Sequence, residues 1–210
     1  MTELAVPTAL SGDELLTTTR AVRRRLDLRR PVPLAEVVDC LRIAQQAPNG
    51  VGQHQQHWVV VRDPAVRAEL AGLYRKSCAR YEVRVGDGPG AMSRRSAEGA
   101  SHLAEHFDEV PVLVLACLDT GGPLPTGNQA SLWATLLPSV WSYMLAARSR
   151  GIGTVWTTRH LSYAAEVAEL LDIPSGVHQA ALVPTAYYRG TTFRPAPRPP
   201  LETSLHVDRW

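Results

Sequence analysis

ASLWATLLPSVWSYMLAARSRGIGTVWTTRHL, residues 130–161, is the stretch whose reading decides the fold. From Ser131 to about Arg150 the residues Leu136, Leu137, Val140, Trp141, Met144 and Leu145 give a broad apolar face at helical spacing. That pattern predicts the longest helix of the chain. Pro138 lies inside it and, having no N–H, must leave one backbone carbonyl without its usual partner. Gly151-Ile152-Gly153 ends the helix, and Thr154–Thr158 follows as a short strand or an extended connection.

Working outward toward the N-terminus, the run Val112–Leu118 after Pro111 is the clearest buried strand, separated from the long helix by a loop over Gly121–Gly127. A helix is predicted over Ser96–Phe107. Residues 82–100, with Gly86, Gly88, Pro89 and Gly90, read as a surface excursion, either a functional lid or plain disorder. His57–Arg62, carrying Trp58 and a run of valines, reads as a buried strand. Asp63-Pro64 then starts a helix to roughly Ser77, with aspartate as cap and proline at the first position. Val37, Val38, Leu41 and Ala44 place a helix over Leu34–Ala47, which Pro48-Asn49-Gly50 stops. Pro31 and Pro33 separate it from a first helix starting near Asp13, and residues 1–12 read as a loose arm.

Toward the C-terminus come a helix over Leu161–Leu171 and a strand over Gln179–Tyr188. The arm 190–210 is rich in proline and arginine, ends in Trp210, and is suited to lie across another surface such as a partner subunit. Helices outnumber strands and the strands are far apart in sequence, which implies an α+β domain with a central sheet flanked by helices. No GxGxxG turn follows a strand, so a Rossmann dinucleotide site is not supported.

A chain of 210 residues, 45% hydrophobic and 20% charged, fits one domain, and a formal charge of +2 implies no nucleic-acid partner. The arginines are nevertheless crowded at Arg20, Arg23, Arg24, Arg25, Arg29 and Arg30. Such a patch suits a phosphate group, a solvated helix face or a nucleic-acid arm. Cys40, Cys78 and Cys117 form no metal-ligand spacing and read as free thiols of a reducing compartment, with Cys40 and Cys117 buried. The N-terminus lacks a signal-peptide pattern and no apolar run reaches membrane-spanning length, so a cytoplasmic location without membrane association is expected.

The 7 histidines include no HExxH motif. His102 and His106 share one face of a predicted helix but lack a third ligand in the sequence reading, so no metal is expected. No GxSxG elbow is present either. If the chain is an enzyme, a cofactor carries the reaction and the protein supplies binding, orientation and electrostatics, so no catalytic side chain is nominated.

The segment TTRAVRRRLDLRRPVP (18–33) resembles the opening of the FMN-dependent nitroreductase family. That resemblance puts Arg20 and Arg24 on the FMN phosphate, and Ala21 and Val22 at positions where relatives carry a polar pair and where only backbone contacts remain. Arg23 is the alternative cation if the local turn is shifted. A helical 20–24 segment would put Arg20 and Arg24 on one face, each with several charge-assisted donors for a phosphate; a solvent-facing stripe is the other reading. APNGVGQHQQHWVVVRDP (47–64) is similar to a second family segment, in which Pro48, Asn49 and Gly50 line the flavin of the partner subunit. Gly52 stands where relatives have asparagine, His54 where they have glutamine, and Gln56 where they have a first tryptophan, while Trp58 is retained. His54 is a candidate substrate contact or a plain polar-loop residue.

The segments 102–117, 130–161 and 170–200 resemble the same family. By that resemblance Leu137 and Pro138 lie close to the flavin, Trp156, Thr157 and Thr158 contact its ring system, and Arg198 is a third cation near the phosphate. Thr157 and Thr158 also fit simple strand residues. The family implies a nitroreductase-like central mixed sheet flanked by helices in an interlocked homodimer, with each FMN at the subunit interface. It further implies an oxidoreductase that takes reducing equivalents from NADH or NADPH and gives them to a small flat acceptor, a nitroaromatic or quinone. A flavin-storage or sequestration protein, motivated by Gly52 and His54, and a specialised flavin-dependent oxidase are the alternatives.

Overall fold

The structure, a computed structural model, describes residues 10–50, 55–80, 85–86 and 91–210. In chain order the helices are α1 (Gly12–Thr18), α2 (Leu34–Ala44), α3 (Pro64–Arg80), α4 (Arg94–Glu105), α5 (Ala130–Ser149) and α6 (Ala164–Leu170). The strands are β1 (Gln56–Val61), β2 (Val112–Asp119), β3 (Ile152–Thr154) and β4 (Val177–Tyr187).

The strands form one sheet in the order β1-β2-β4-β3. β2 lies inside it, and its residues 112–118 are all buried. Its alternate side chains serve two cores. Val112, Val114, Ala116 and Leu118 join α2 and α5 on one face. Leu113, Leu115 and Cys117 join α3, α4 and the 3-10 turn Phe107–Glu109 on the other. A strand covered on both faces has no polar side to show, which explains an unbroken apolar run in place of alternation. Tyr143 of α5 brings its hydroxyl to 3.0 Å from Thr185 within the first core. Tyr74 of α3 stacks on Phe107 at 4.0 Å in the second.

A central sheet flanked by helices is as expected. Where a mixed sheet is anticipated, the named strands pair antiparallel throughout. Among the described residues the parallel pairing is an isolated bridge, Val85 with Met92, outside the named strands.

Local chemistry sets several element ends. Ser11 and Glu14 form a capping box at the start of α1. Asp63 Oδ1 accepts from the amides of Ala65 and Val66, capping α3 as its sequence predicts, and the helix runs beyond Ser77 to Arg80. α2 stops at Ala44, short of Ala47. Ser93 caps α4, which ends at Glu105 because the chain tightens into the 3-10 turn. The single helix expected over 161–171 is a 3-10 turn, Arg159–Tyr163, followed by α6. Among the described residues, the arm after Tyr187 carries no regular element apart from a 3-10 turn at Leu201–Thr203. Among the described residues no helix is long and apolar enough to cross a membrane. Much of the 82–100 excursion lies outside the described residues.

Candidate functional site

The arginine-rich segment is not helical, so the condition under which Arg20 and Arg24 would share a helical face is not met. α1 ends at Thr18 because Thr17, Thr18 and Thr19 turn their hydroxyls back onto the carbonyls of Asp13, Glu14 and Leu15, at 2.6, 2.5 and 2.6 Å. Such back-bonding by β-branched residues competes with helix continuation. The chain then lies along the edge strand β3, where Val22 N–H donates to Thr154 O at 2.9 Å and Leu26 bridges Tyr188. Gly153 permits this approach. A Cβ there would stand 3.0 Å from Val22 Cβ and 3.1 Å from Leu26 Cδ2.

Seating Val22 inward leaves Ala21 exposed, with Arg20 and Arg24 facing outward on either side. Arg20 Nη1 donates to Arg194 O at 2.6 Å, bringing the C-terminal arm beside the arginine segment. Arg24 Nη1 meets Glu98 Oε2 at 3.2 Å across an exposed gap. Arg23 takes the opposite course. Its side chain lies half-buried against α4, with Cδ 3.4 Å from where a Cβ on Gly99 would be, and desolvation lowers its pKa. It therefore does not join Arg20 and Arg24. Arg198 is exposed on the arm.

Beyond β3, Thr157 exchanges backbone hydrogen bonds with Leu182 at 3.0 and 2.9 Å. Its buried hydroxyl lies 3.3 Å from Tyr74 Oη and accepts from Arg159 N–H at 3.4 Å. The Thr157 side chain is thus a strand-like interior residue, whereas Thr158 is exposed and Trp156 is half-buried against the α5 core. Two residues on, His160 is fully buried, and neither ring nitrogen has a partner among the described residues. Burial pushes its pKa down to about 4, so the ring is neutral at neutral pH.

A second group forms between the loop after α2 and the first half of α5. Gly50 N–H approaches Thr135 Oγ1 at 3.4 Å, and a Cβ on Gly50 would stand 3.2 Å from that oxygen. Thr135 Oγ1 in turn donates to Ser131 O at 3.0 Å. Pro48 is exposed and Asn49 half-buried in the same loop. Gln56 Nε2 donates to Thr135 O at 2.6 Å, one residue past the carbonyl of Ala134 that Pro138 cannot serve. Leu137 and Pro138 are half-buried, with Leu137 packed on the α2/α5 core. Gln56 Oε1 and Trp58 Nε1 are buried without a hydrogen-bond partner among the described residues. A buried acceptor and donor left open on one strand are costly unless a further polar group meets them.

No hydrogen bond among the described residues joins Arg20–Arg24 to Pro48–Gly50. Gly52 and His54 lie outside the described residues. Gln56, Thr135 and Gly153 are additions to the site. The signals in the sequence were the replacement of an expected tryptophan by glutamine and the Gly-Ile-Gly spacing after the long helix. Cys40 and Cys117 are buried free thiols, with burial pushing their pKa up to about 11 and about 12.

A model of the Nitroreductase family matches residues 16–187. The chain belongs to this family. Among curated proteins, the iodotyrosine deiodinase of Thermotoga neapolitana is 25% identical over 175 residues, covering 82% of this chain and 86% of that protein. The FMN-dependent nitroreductase NfnB from Mycobacterium smegmatis, solved in complex with NADPH, has a TM-score of 0.68 at 18% identity over 94% of this chain and 97% of that one. An oxidised iodotyrosine deiodinase bound to FMN and 3-iodo-L-tyrosine has a TM-score of 0.63 at 20% identity, with the same coverages of 94% and 97%. The chain thus shares its fold with FMN-dependent oxidoreductases.

Proposed function

We propose that this chain is an FMN-dependent oxidoreductase that accepts reducing equivalents from NADH or NADPH and delivers them to a small flat acceptor such as a nitroaromatic or quinone. The observation that carries this reading is the seating of Val22 on β3. It sets Arg20 and Arg24 outward on the same edge from which the chain continues into Trp156–Thr158. Arg20, Arg24 and Arg198 suit a phosphate monoester, because guanidinium groups offer several charge-assisted donors to a dianion. Ala21 and Val22 have no side-chain donor, so their part is confined to the backbone. The unpartnered Gln56 Oε1 and Trp58 Nε1 fit the donor and acceptor edge of a flavin.

When bound, FMN supplies reversible hydride acceptance. The chain's own task is then binding, stacking and exclusion of water, and it needs no nucleophile. In the proposed arrangement the protein is a homodimer in which Pro48–Gly50, Leu137 and Pro138 of one chain complete the site begun by the arginine segment of the other. His54 is the proposed acceptor contact in that arrangement. Similarity to the Thermotoga protein favours a second reading, in which the acceptor is a halogenated tyrosine.

The test is purification without added flavin, followed by absorbance spectroscopy, light scattering and anaerobic titration with NADH and NADPH. A yellow dimer is expected, bleached by one or both donors and recoloured by an acceptor from a panel of nitroaromatics, quinones and 3-iodotyrosine. A colourless chain that also fails to bind added FMN overturns the reading. Bound FMN that neither donor reduces would support storage instead.

A further inference from the structure

α4 carries a cluster that the redox reading does not use. Leu103 and Phe107 are buried in the second core, and Gly99 packs against Arg23. Those inward residues fix the roll of the helix and turn His102 and His106, one turn apart, to the other side. Their rings lie 4.5 Å apart between centroids. Glu105 stands with them, and one ligand atom from each of His102, Glu105 and His106 lies within 4.8 Å of the others. The third ligand that sequence reading did not find is therefore present.

Two further observations set this cluster apart from an ordinary solvated face. Nearby acids are matched to arginines, Glu98 to Arg24 and Asp108 to Arg75. Among the described residues neither Glu105 nor Glu109 has a Lys or Arg partner. Glu109 instead holds His106 Nδ1 at 2.5 Å. A carboxylate on Nδ1 orients an imidazole and leaves Nε2 with the lone pair, which is the outer-shell arrangement common behind metal-bound histidine.

We propose that His102, Glu105 and His106 form a surface site for a borderline divalent transition metal, with Glu109 as the outer-shell partner. Two imidazoles and one carboxylate suit Zn²⁺ or Ni²⁺ over the hard cations, which prefer oxygen ligands alone. Ligand atoms about 2 Å from a tetrahedral Zn²⁺ lie roughly 3.3 Å from one another. The observed 4.8 Å limit therefore closes by side-chain rotation without moving the helix. A bound ion joins His102 and Glu105 in the last turn of α4 to His106 at its C-cap, so the site is structural.

The experiment is calorimetric titration of the purified full-length chain with Zn²⁺, repeated with Ni²⁺, alongside thermal melts with and without the metal. His102→Ala, His106→Ala and the control His206→Ala are titrated in the same way. Alanine is favourable in a helix, so His102→Ala is not a folding risk. One ion per chain is expected, with a higher melting temperature in its presence. Removing either histidine should weaken binding by at least about tenfold, the lower end of what losing even an outer-shell partner costs. His206→Ala should bind as the parent does. Absence of saturable binding, or equal affinity in the parent and His102→Ala, overturns the proposal.

Discussion

Gly153→Ala tests the seating on which the arginine segment depends. The added methyl would stand 3.0 Å from Val22 Cβ, 3.1 Å from Val22 Cγ1 and 3.1 Å from Leu26 Cδ2. Val22 cannot escape by changing rotamer, since the nearest clash is with its Cβ and its amide is held by Thr154 O at 2.9 Å. Gly153 has no positive φ, so the effect is steric and the backbone itself accepts alanine. Overpacking of this kind costs about 1–3 kcal/mol. In a domain of this length each kcal/mol moves the melting temperature by about 2–4 °C, giving a fall of roughly 2–12 °C. Gly72→Ala is the matched control, because a Cβ there meets nothing within 4 Å in the interior of α3. It should gain about 0.5–1 kcal/mol. Thermal and urea unfolding would be measured for both, with FMN affinity by fluorescence titration. A Gly153→Ala chain as stable as the parent, with unchanged FMN affinity, would refute the claim that this glycine seats the segment.

Other consequences are as direct. Arg20→Ala should weaken FMN binding well beyond Arg94→Ala, which removes an exposed cation from the start of α4; equal dissociation constants would remove Arg20 from the phosphate site. His160 has a folded pKa of about 4, below its unfolded value, so the unfolded chain binds the extra proton between about pH 4 and 6.5. Stability from this group is therefore full above about pH 6.5 and falls by about 1.4 kcal/mol per pH unit across that window as the medium is acidified. Urea unfolding of His160→Leu against the parent at pH 4.5–6.5 (roughly the range over which His160 differs between the two states) should show a shallower slope in the variant, and identical slopes would contradict a buried neutral ring. Native-state alkylation should spare Cys40 and Cys117, whose thiols burial holds protonated, while half-buried Cys78 reacts first; rapid labelling of Cys117 would dispute its position inside the sheet.

The parts of the fold that were legible in the sequence are those where one physical demand acts alone. Val112–Leu118 must be apolar on both sides, and α5 must present a broad apolar face, so both elements follow from pattern. The sequence leaves the conformation of the arginine segment open, because Arg20 and Arg24 have helical spacing while the preceding threonines end the helix, a contest between residues that side-chain periodicity does not weigh. Thr157 shows a different difficulty. A β-branched residue near a sheet suits a ligand contact and an interior bond equally well, and its neighbour Tyr74 is distant in sequence. Gln56 was visible as a departure from the family pattern, but its bond to Thr135 O depends on a proline-containing helix brought alongside. The third member of the histidine cluster needed only the helix register, since Glu105 lies between two histidines already placed on one face.

The guanidinium carbons of Arg25 and Arg148 lie over the ring of Phe193, at 4.2 and 4.0 Å from its centroid, and Arg25 also donates to the carbonyls of Arg189 and Thr192. This clasp gives the arm a fixed root, while Leu201, Leu205, Val207 and Trp210 are exposed farther along it. One residue past Phe193, Arg20 Nη1 donates to Arg194 O, so the arginine-rich segment grips the arm through carbonyls from Arg189 to Arg194. Because these bonds take backbone oxygens, substitution of Arg189, Thr192 or Arg194 leaves them in place, whereas Phe193→Ala removes the ring that both guanidinium groups contact.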